Sequence, residues 1–334
     1  MTRSNAQPAP HARRRWKATA AVLAFCFGLF GSAGHAFAAG TTDWLSGLPR
    51  EPVRVRAWPG GRKVAVCFVL YVEEWGSGKG PNFRPDMVTR DPDVVDESFR
   101  RYAIEWGIPR VGRLFSEQRL PVSLALNAYF PARHPEVWKE LRALVPRAPI
   151  VAHGLNNSTE LLPLKEGSDA QLAYVKRTLD IIARDTGVQA RGWSSPSVYP
   201  NADTFGVTAA AGIAYSLDAM DSDVLSRLQT KSGPLLLIPY PTVTVDMGQF
   251  LERAKQPGDL ERLWIDYVGE LAREAAAHPD RDATVVAIGI HPFVVGTPDG
   301  AAALRRVLEH LKKMKLVWVT DVEAVAAAAG AAMP

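Results

Sequence analysis

Two adjacent carboxylates follow the most apolar run of the chain, and single histidines follow two similar runs further along. Residues 64–72 are apolar almost throughout and end in Glu73 and Glu74. A continuous apolar run of this kind is typical of a strand buried on both faces, as in parallel sheets. His153 and His291 end two other apolar runs. Because barrels and open α/β sheets place their chemistry at the carboxyl ends of such strands, these residues predict an active-site rim.

Strand-like and helix-like runs alternate through most of the chain. Eight runs predict strands, at residues 64–72, 122–128, 150–153, 190–194, 214–218, 235–240, 285–291 and 316–320. Amphipathic runs predict helices at residues 99–118, 135–144, 169–186, 204–211, 258–277 and 300–314, with a closing helix in 322–334. This alternation predicts βα units around a parallel sheet. The number of units favours a deformed barrel of seven or eight strands, and the absence of a repeat or long linker predicts one domain over residues 39–334.

The first 38 residues have the features of a secretory signal peptide. Residues 13–17 are basic, residues 18–30 are apolar, and Ala36-Phe37-Ala38 fits the small-x-small cleavage rule. The apolar segment is short for a membrane span. We therefore expect export to the periplasm or the medium, with no stable membrane insertion after cleavage. A retained N-terminal anchor is the alternative.

Removing this segment changes what the charge and the cysteines indicate. The whole chain carries a formal charge of +4, and residues 1–38 hold five basic and no acidic residues, which leaves −1 for the remainder. No basic patch interleaved with aromatic residues remains, so we expect no nucleic-acid partner. Of the two cysteines, only Cys67 follows the cleavage site. One thiol in the middle of a strand predicts a buried, inert side chain and excludes an internal disulfide.

Seven short motifs follow one another along the chain, most of them at the ends of predicted strands. They are Trp58-Pro-Gly-Gly61, Val69–Glu74, Ala152-His153-Gly154, Gly192–Pro196, Asp218 with Asp221 and Asp223, Ile238-Pro239-Tyr240, and His291-Pro292 with Gly296 and Pro298. In this order they resemble the polysaccharide deacetylase family, and more narrowly its branch of metal-independent allantoinases and related periplasmic proteins. The resemblance spans about 58–320 and implies a deformed (β/α)7 barrel that hydrolyses non-peptide C–N bonds.

The resemblance also implies catalytic roles for individual residues. Glu73 takes the position of the general base and His291 that of the general acid. Arg191 matches an arginine that orients the base, and Asp218 or Asp221 is expected to orient His291. Amide hydrolysis needs a base to activate water, stabilisation of the oxyanion and an acid for the departing nitrogen. With Glu73 as base and His291 as acid, this reaction can be written without a metal ion.

A metal site is implied less completely. The resemblance places Glu74, His153 and Asn157 at ligand positions, but Asn157 stands where the family has a second histidine. Glutamate, imidazole and amide make a poor set for zinc, which favours imidazole and thiolate, although an oxygen-preferring divalent ion remains possible. No cofactor is therefore certain. His134, on the polar face of a predicted helix, is interpreted as a surface residue.

The remaining candidates would contact a substrate. Trp75, Trp193 and Tyr240 are expected to form apolar or stacking walls for a ring-shaped molecule, with Pro196 and Asp221 beside them. The partner is thus a small molecule or a glycan.

The function predicted from the sequence is de-N-acetylation of a carbohydrate by an exported hydrolase, with two alternatives. Export favours the predicted function, while the altered ligand motif and the glutamate pair favour hydrolysis of a small cyclic amide or ureide. The allantoinase-like branch usually has an arginine near Gly300, and its loss here weakens the second function. The third is a catalytically degenerate barrel that binds glycan without turning it over, since a fold can outlast its chemistry. The oligomeric state is left open.

Overall fold

The computed structural model describes residues 41–43, 46–80, 94–158, 168–198 and 200–330. The strands in these ranges are β1 Thr41–Thr42, β2 Pro49–Pro52, β3 Val64–Val72, β4 Ser123–Leu126, β5 Ile150–Ala152, β6 Gly192–Trp193, β7 Tyr215–Ala219, β8 Ser226–Thr230, β9 Gly233–Pro239, β10 Thr284–Ile290 and β11 Val317–Thr320. Together they form one sheet.

The helices lie between these strands. They are α1 Val94–Tyr102, α2 Ile108–Gln118, α3 Phe130–Arg133, α4 Pro135–Leu144, α5 Ser168–Thr186, α6 Thr204–Ala210, α7 Asp246–Leu251, α8 Pro257–Ala277, α9 Pro292–Val295, α10 Pro298–Leu311 and α11 Val322–Ala328. A π-helical turn, Ala103–Gly107, joins α1 to α2. The long helices start at clear signals: Gln256 and Asp259 form a capping box at α8, and the Thr297 side chain caps α10.

Seven strands of the sheet are parallel, in the spatial order β10-β3-β4-β5-β6-β7-β9. Antiparallel strands β8, β2 and β1 follow β9 at one edge, and β11 runs parallel to the first half of β3. The carboxyl ends of the seven parallel strands therefore meet at one end of the sheet. This is the α/β architecture of a deformed (β/α) barrel, as predicted.

Central strand β3 is buried on both faces, and its alternate side chains enter two different cores. Phe68 points toward the helices, where its ring centroid lies 5.7 Å from that of Phe115 and 6.5 Å from that of Trp264. Cys67 and Tyr71 point to the opposite face and join the inner cluster. Burying a side chain such as Phe68 contributes about 1.5–3 kcal/mol, so this layering accounts for much of the stability of the sheet.

Tyrosines fill the inner face, and glycines make room for them. Tyr71, Tyr215 and Tyr240 are each fully buried. A Cβ atom at Gly192 would overlap the Tyr215 ring, and one at Gly289 would overlap the Tyr240 hydroxyl. Gly289 lies on β10 and Tyr240 directly follows β9, so these two strands approach each other closely across the inner face.

Every predicted strand is present, and most predicted helices are present with small shifts at their ends. The helix predicted over 99–118 instead begins at Val94 and is divided into α1, the π-helical turn and α2. The short helices α3, α7 and α9 were not predicted. Strands β1, β2 and β8 were not predicted, because edge strands are polar and short and lack an apolar run. The predicted signal peptide lies outside the described residues. Within the part of the chain that the structure describes, no helix is long and apolar enough to cross a membrane.

Candidate active site

The predicted rim residues converge at the carboxyl end of the parallel strands. Glu73 follows β3, His153 follows β5 and His291 follows β10. All three are buried, with exposed fractions of 2%, 1% and 2%. The structure therefore brings together the three titratable residues that the sequence placed at strand ends.

Glu73 stands at the centre of this cluster, and its two carboxylate oxygens have different surroundings. Oε1 lies 3.2 Å from Nε2 of His153 and 3.9 Å from Nε2 of His291, and it accepts a hydrogen bond from the Asn157 side-chain amide. Oε2 is buried and has no hydrogen-bond partner among the described residues. A buried carboxylate oxygen without a donor is costly, so Oε2 is the free acceptor of this site.

The contacts of His153 fix how protons are shared with Glu73. Its Nδ1 lies 2.9 Å from the carbonyl oxygen of Ser194, and a carbonyl only accepts, so Nδ1 carries a hydrogen. Nε2 and Oε1 of Glu73 then share one proton, as an imidazolium with a carboxylate or as a neutral imidazole with a carboxylic acid. In the first form Glu73 is ionised and able to take a proton.

The side chain that orients His291 is Asp246, at the start of α7. Oδ1 of Asp246 accepts from Nδ1 of His291 at 2.6 Å, and Oδ2 accepts from the His291 backbone N–H at 2.7 Å. Burial acts to lower the pKa of His291, but Asp246 and Glu73 outweigh it and raise the pKa above its ordinary value. Burial raises the pKa of Asp246, and His291 offsets part of that rise. The raised pKa favours the imidazolium form of His291, in which Nε2 carries a proton toward Glu73.

The prediction that Asp218 or Asp221 orients His291 is wrong. Asp218 accepts from the backbone N–H of Ser195 at 2.9 Å and from its hydroxyl at 2.8 Å, and burial raises the pKa of this carboxyl despite these bonds. Asp221 pairs with Arg50 at 2.7 Å. The missed residue, Asp246, follows a Pro- and Thr-rich segment after β9 and begins a short helix. The one sequence signal that could have indicated Asp246 is an acidic residue at the first position of a short helix that follows β9.

Glu74 points away from this cluster. Its Oε1 pairs with Arg133 and its Oε2 lies 2.8 Å from Nε2 of His134. Burial raises the pKa of Glu74, but His134 and Arg133 outweigh that effect and hold the pKa below its usual value. The interpretation of His134 as a surface residue is therefore wrong, since its side chain is a partner of a buried carboxylate.

The ligand set predicted for a metal is not assembled. His153 and Asn157 both contact Glu73, whereas the carboxylate of Glu74 is occupied by Arg133 and His134. Among the described residues, no group of three or more histidine, cysteine or acidic side chains is arranged to hold a metal ion. Glu74, His153 and Asn157 therefore do not form the predicted metal site.

Asn127, which follows β4, joins the ends of three strands. Its Oδ1 accepts from the backbone N–H of Glu74 at 2.8 Å, and its Nδ2 donates to the carbonyl of His153. The backbone N–H of Asn157 in turn donates to the carbonyl of Glu74 at 2.9 Å. These bonds hold the Glu73-Glu74 turn and the His153 loop in fixed relation, which positions the base against its partners.

Arg191 is not brought to Glu73. It precedes β6, at the amino end of that strand, where its carbonyl accepts from the backbone N–H of Ala214 at 2.8 Å. Its charge acts on Glu323 of α11, whose side chain also bonds the Tyr215 hydroxyl at 3.2 Å. The expectation that Arg191 orients the base is wrong, because the residue lies at the opposite end of the barrel wall.

The predicted substrate walls are brought together only in part. Trp75 is half-buried beside the site, with its ring centroid 6.2 Å from that of Phe293. Trp193 is fully buried in the helix-facing core and donates to the Ser195 hydroxyl at 3.1 Å, so it is a core residue. Tyr240 faces the inner cluster, and Pro196 packs against the Gly154 backbone.

A cleft of about 390 Å³ opens beside Asp218 and is lined in part by Asp221. The predicted contact residue Asp221 therefore lies at a concave surface, on the side of the site formed by the start of α6 and the end of β7. Phe205 and Met220 give this cleft an apolar wall.

The π-helical turn between α1 and α2 packs directly on the segment that carries His291. A Cβ atom at Gly107 would overlap the Pro292 backbone, and one at Gly296 would overlap Gly107. Arg110 also donates to the Gly296 carbonyl. Two glycines thus allow close backbone contact that fixes His291 from outside the barrel. Such π turns are frequent at functional sites.

The fold is a deformed α/β barrel with a carboxylate–histidine cluster at the carboxyl end of its parallel strands. Among solved structures, the chain is similar to a protein from Pseudomonas aeruginosa PAO1 assigned as a polysaccharide deacetylase, with a TM-score of 0.71 and 23% identity over 82% of this chain and 93% of that one. An allantoinase gives a TM-score of 0.70 and 24% identity over 85% and 95%.

A protein from Mycobacterium smegmatis, also assigned as a polysaccharide deacetylase, gives a TM-score of 0.67 and 24% identity over 84% of this chain and 95% of that one. These similarities confirm the predicted resemblance at the level of the fold. No protein-family model matches the sequence, and no curated protein matches it.

Proposed function

We propose that this chain is a hydrolase of non-peptide amide bonds in which Glu73 is the base and His291 is the acid. The observation that carries the proposal is the arrangement of these two side chains. Nε2 of His291 lies 3.9 Å from Oε1 of Glu73, too far for a direct hydrogen bond, while Asp246 holds the other ring nitrogen. A base and a proton donor therefore face the same small space. Asp246 orients the donor, and His153 and Asn157 contact the base.

The reaction follows from this placement. Glu73 takes one hydrogen from a water molecule as the water oxygen bonds to the carbonyl carbon of the amide. The tetrahedral intermediate then collapses with cleavage of the C–N bond, and Nε2 of His291 gives its proton to the departing nitrogen. The products are a carboxylic acid and an amine. The proton gained by Glu73 matches the one lost by His291, so the pair ends with its original proton count.

A compact cyclic amide or ureide is the substrate class that the site favours. The reacting groups are at most 2% exposed, so the scissile carbonyl has to enter a confined space. The contacts of Glu74 support the same substrate class. Its carboxylate pairs with Arg133 and His134 and is not available as a metal ligand beside His153. The branch of the family that the sequence resembles without a metal is the allantoinase-like one, which acts on a cyclic ureide.

De-N-acetylation of a carbohydrate is the second candidate. It is supported by the export predicted from residues 1–38, because cell-wall glycans lie outside the cytoplasm. The cleft beside Asp218 offers space for the remainder of a sugar unit. Periplasmic or secreted location is part of this proposal. Binding of a divalent ion remains a prediction from the sequence, because the described residues do not bring the predicted ligands together.

The proposal is tested by a substrate screen with a matched inactive variant. Purified protein is incubated with five- and six-membered cyclic amides and ureides and with N-acetylated oligosaccharides, and ring opening or acetate release is followed by NMR. We expect turnover of a cyclic substrate by the wild type and none by Glu73→Gln. Acetate release alone would favour the second candidate. No turnover of either class would leave the non-catalytic glycan-binding barrel as the remaining function.

A further inference from the structure

The ring of Tyr71 contacts both histidines of the active-site cluster. Its plane is parallel to that of His291, with an interplanar angle of 6° and ring centroids 4.5 Å apart. His153 meets the same ring at 4.8 Å in a T-shaped arrangement, with an interplanar angle of 77°. Because Tyr71 is only 1% exposed, its ring contributes to the reaction through these neighbours and not through a substrate contact.

The Tyr71 ring is held in place at its hydroxyl. The hydroxyl lies 3.2 Å from Oγ of Ser194, and the carbonyl of the same serine accepts from Nδ1 of His153 at 2.9 Å. Burial raises the pKa of Tyr71, and hydrogen bonds with Ser194 and Tyr240 offset only part of that rise. The phenol therefore stays neutral near pH 7. Tyr71 is thus not an acid or a base of the reaction.

Charged and titratable groups surround His291 from several elements. Asp246 of α7 accepts from Nδ1 at 2.6 Å, and Oε1 of Glu73, after β3, lies 3.9 Å from Nε2. His153, after β5, contacts the same Glu73 oxygen, and Tyr240, after β9, interacts with Asp246. Burial lowers the pKa of His291, but the carboxylates of Asp246 and Glu73 outweigh it and raise the pKa. These surroundings favour a positive charge on the imidazole ring.

The Tyr71 stack adds an interaction of a different kind. The face of an aromatic ring is negative, so it attracts a cation placed over it, within about 6 Å of the ring centroid. The imidazole of His291 is inside this range and parallel to the Tyr71 face. Phe293, a second aromatic neighbour, is 5.4 Å from His291 and tilted by 44°. Tyr71 is therefore the neighbour that presents a parallel aromatic face to His291.

We propose that Tyr71 is a positioning residue whose ring stabilises the imidazolium form of His291 and holds that imidazolium toward Glu73. This inference rests on the proposed function, in which His291 is the acid. When Nε2 of His291 gives its proton to the departing nitrogen, the ring loses its positive charge and with it the attraction to Tyr71. The stack therefore stabilises the enzyme form that is ready for C–N cleavage, and it extends the pH range of that form upward.

Fluorinated phenylalanines at position 71 test this proposal with little change in packing. Each fluorine withdraws electrons from the ring face while the ring keeps its shape. The pKa of His291 is measured by NMR of ¹³C-labelled histidine, assigned with His291→Gln. We expect Tyr71→Phe to keep this pKa within about 0.3 of the wild-type value, and mono-, di- and trifluorophenylalanine to lower it stepwise, by about one pH unit in total.

The same series at Phe68 is the matched control. Phe68 lies on the same strand as Tyr71 but packs in the helix-facing core, against Phe115 and Trp264. Fluorination there should leave the pKa of His291 unchanged. A constant pKa of His291 across the series at position 71 would overturn the proposal, and so would an equal shift from position 68.

A pH–rate profile on an amide that the wild type hydrolyses connects the stack to turnover. The alkaline limb of kcat/KM, which reports the free enzyme, should move to lower pH by the same amount as the pKa of His291. Tyr71→Leu, which removes the ring, should lower the plateau of kcat by about 10- to 100-fold, because His291 loses its support. A limb that stays in place while the pKa moves would contradict a role of Tyr71 in the reaction.

Glu73→Gln separates this proposal from the proposed function. If Glu73→Gln turns over like the wild type, the assignment of the base and with it the proposed function fails. The NMR titration needs no turnover, so it still decides whether the Tyr71 ring stabilises the imidazolium of His291.

Discussion

Glu73 and Glu74 are neighbours in sequence, yet their carboxylates belong to two different regions. Glu73 lies among His153, His291 and Asn157, and one of its oxygens has no hydrogen-bond partner among the described residues. Glu74 has both oxygens held by basic side chains. The Glu73 region is thus incomplete without a further molecule, and the Glu74 region is satisfied by the protein alone.

This difference follows from strand geometry. Successive side chains of an extended chain point to opposite faces. Here Glu73 continues the inward series of Tyr71, while Glu74 turns toward α3 and its neighbour His134. In this chain the pair is therefore divided between the histidine cluster and a structural ion pair.

The largest effect is expected from loss of the proton donor. His291→Gln should lower kcat by about 10³-fold on an amide whose nitrogen is a poor leaving group. On an ester analogue of the same acid, where the leaving oxygen needs less protonation, the loss should shrink to about ten-fold. Steady-state kinetics on the matched pair measures this difference. Equal losses on amide and ester would contradict the assignment of His291 as the acid.

Asp246 is expected to act through His291. Asp246→Asn should lower kcat by about 100-fold and move the alkaline limb of the pH–rate profile to lower pH, because it removes a carboxylate that raises the pKa of His291. Because the pKa of His291 is higher in the folded than in the unfolded state, His291 also contributes to stability. That contribution is fully present below the pKa of the unfolded state and is lost as the pH rises through the pKa of the folded state. The profile of kcat from pH 5 to 10 tests the shift; an unmoved limb would exclude this coupling.

Gly289 tests the close packing beneath the reacting groups. Gly289→Ala places a methyl group where the Tyr240 hydroxyl lies, so we expect destabilisation by about 1–3 kcal/mol and a roughly ten-fold loss of kcat. Chemical denaturation and kinetics measure the two effects. Gly269→Ala, at a helix position with open space around it, is the control and should lose neither. Unchanged stability and full activity of Gly289→Ala would contradict the close packing of β10 against Tyr240.

The smallest effect on turnover is expected at Glu74. Glu74→Gln should destabilise the fold by about 1 kcal/mol at pH 7, a modest value because Arg133 is half-exposed. Since the pKa of Glu74 is lowered in the folded state, its contribution is present above the unfolded pKa and is lost as pH falls through the folded value. Urea unfolding at a series of pH values from 7 downward should therefore show a difference between variant and wild type that is largest at pH 7 and shrinks as the pH falls.

The sequence predicted the barrel and the convergence of Glu73, His153 and His291 because buried parallel strands are continuous apolar runs whose ends are easy to locate. It did not predict Asp246, which reaches His291 from a short helix 45 positions earlier in the chain. Nor did it predict the pairing of His134 with Glu74, since a histidine on a polar helix face gives no sign of its partner. The opposite directions of Glu73 and Glu74 could have been predicted from strand alternation.

The most direct test of this account compares the turnover of Glu73→Gln and Glu74→Gln on the same amide substrate, in protein of verified fold. Both substitutions replace a carboxylate with an amide of equal size, one residue apart. We predict that Glu73→Gln loses at least about 10³-fold in kcat and that Glu74→Gln stays within about five-fold of wild type. Equal losses in the two variants, or a larger loss for Glu74→Gln, would contradict the assignment of Glu73 as the base.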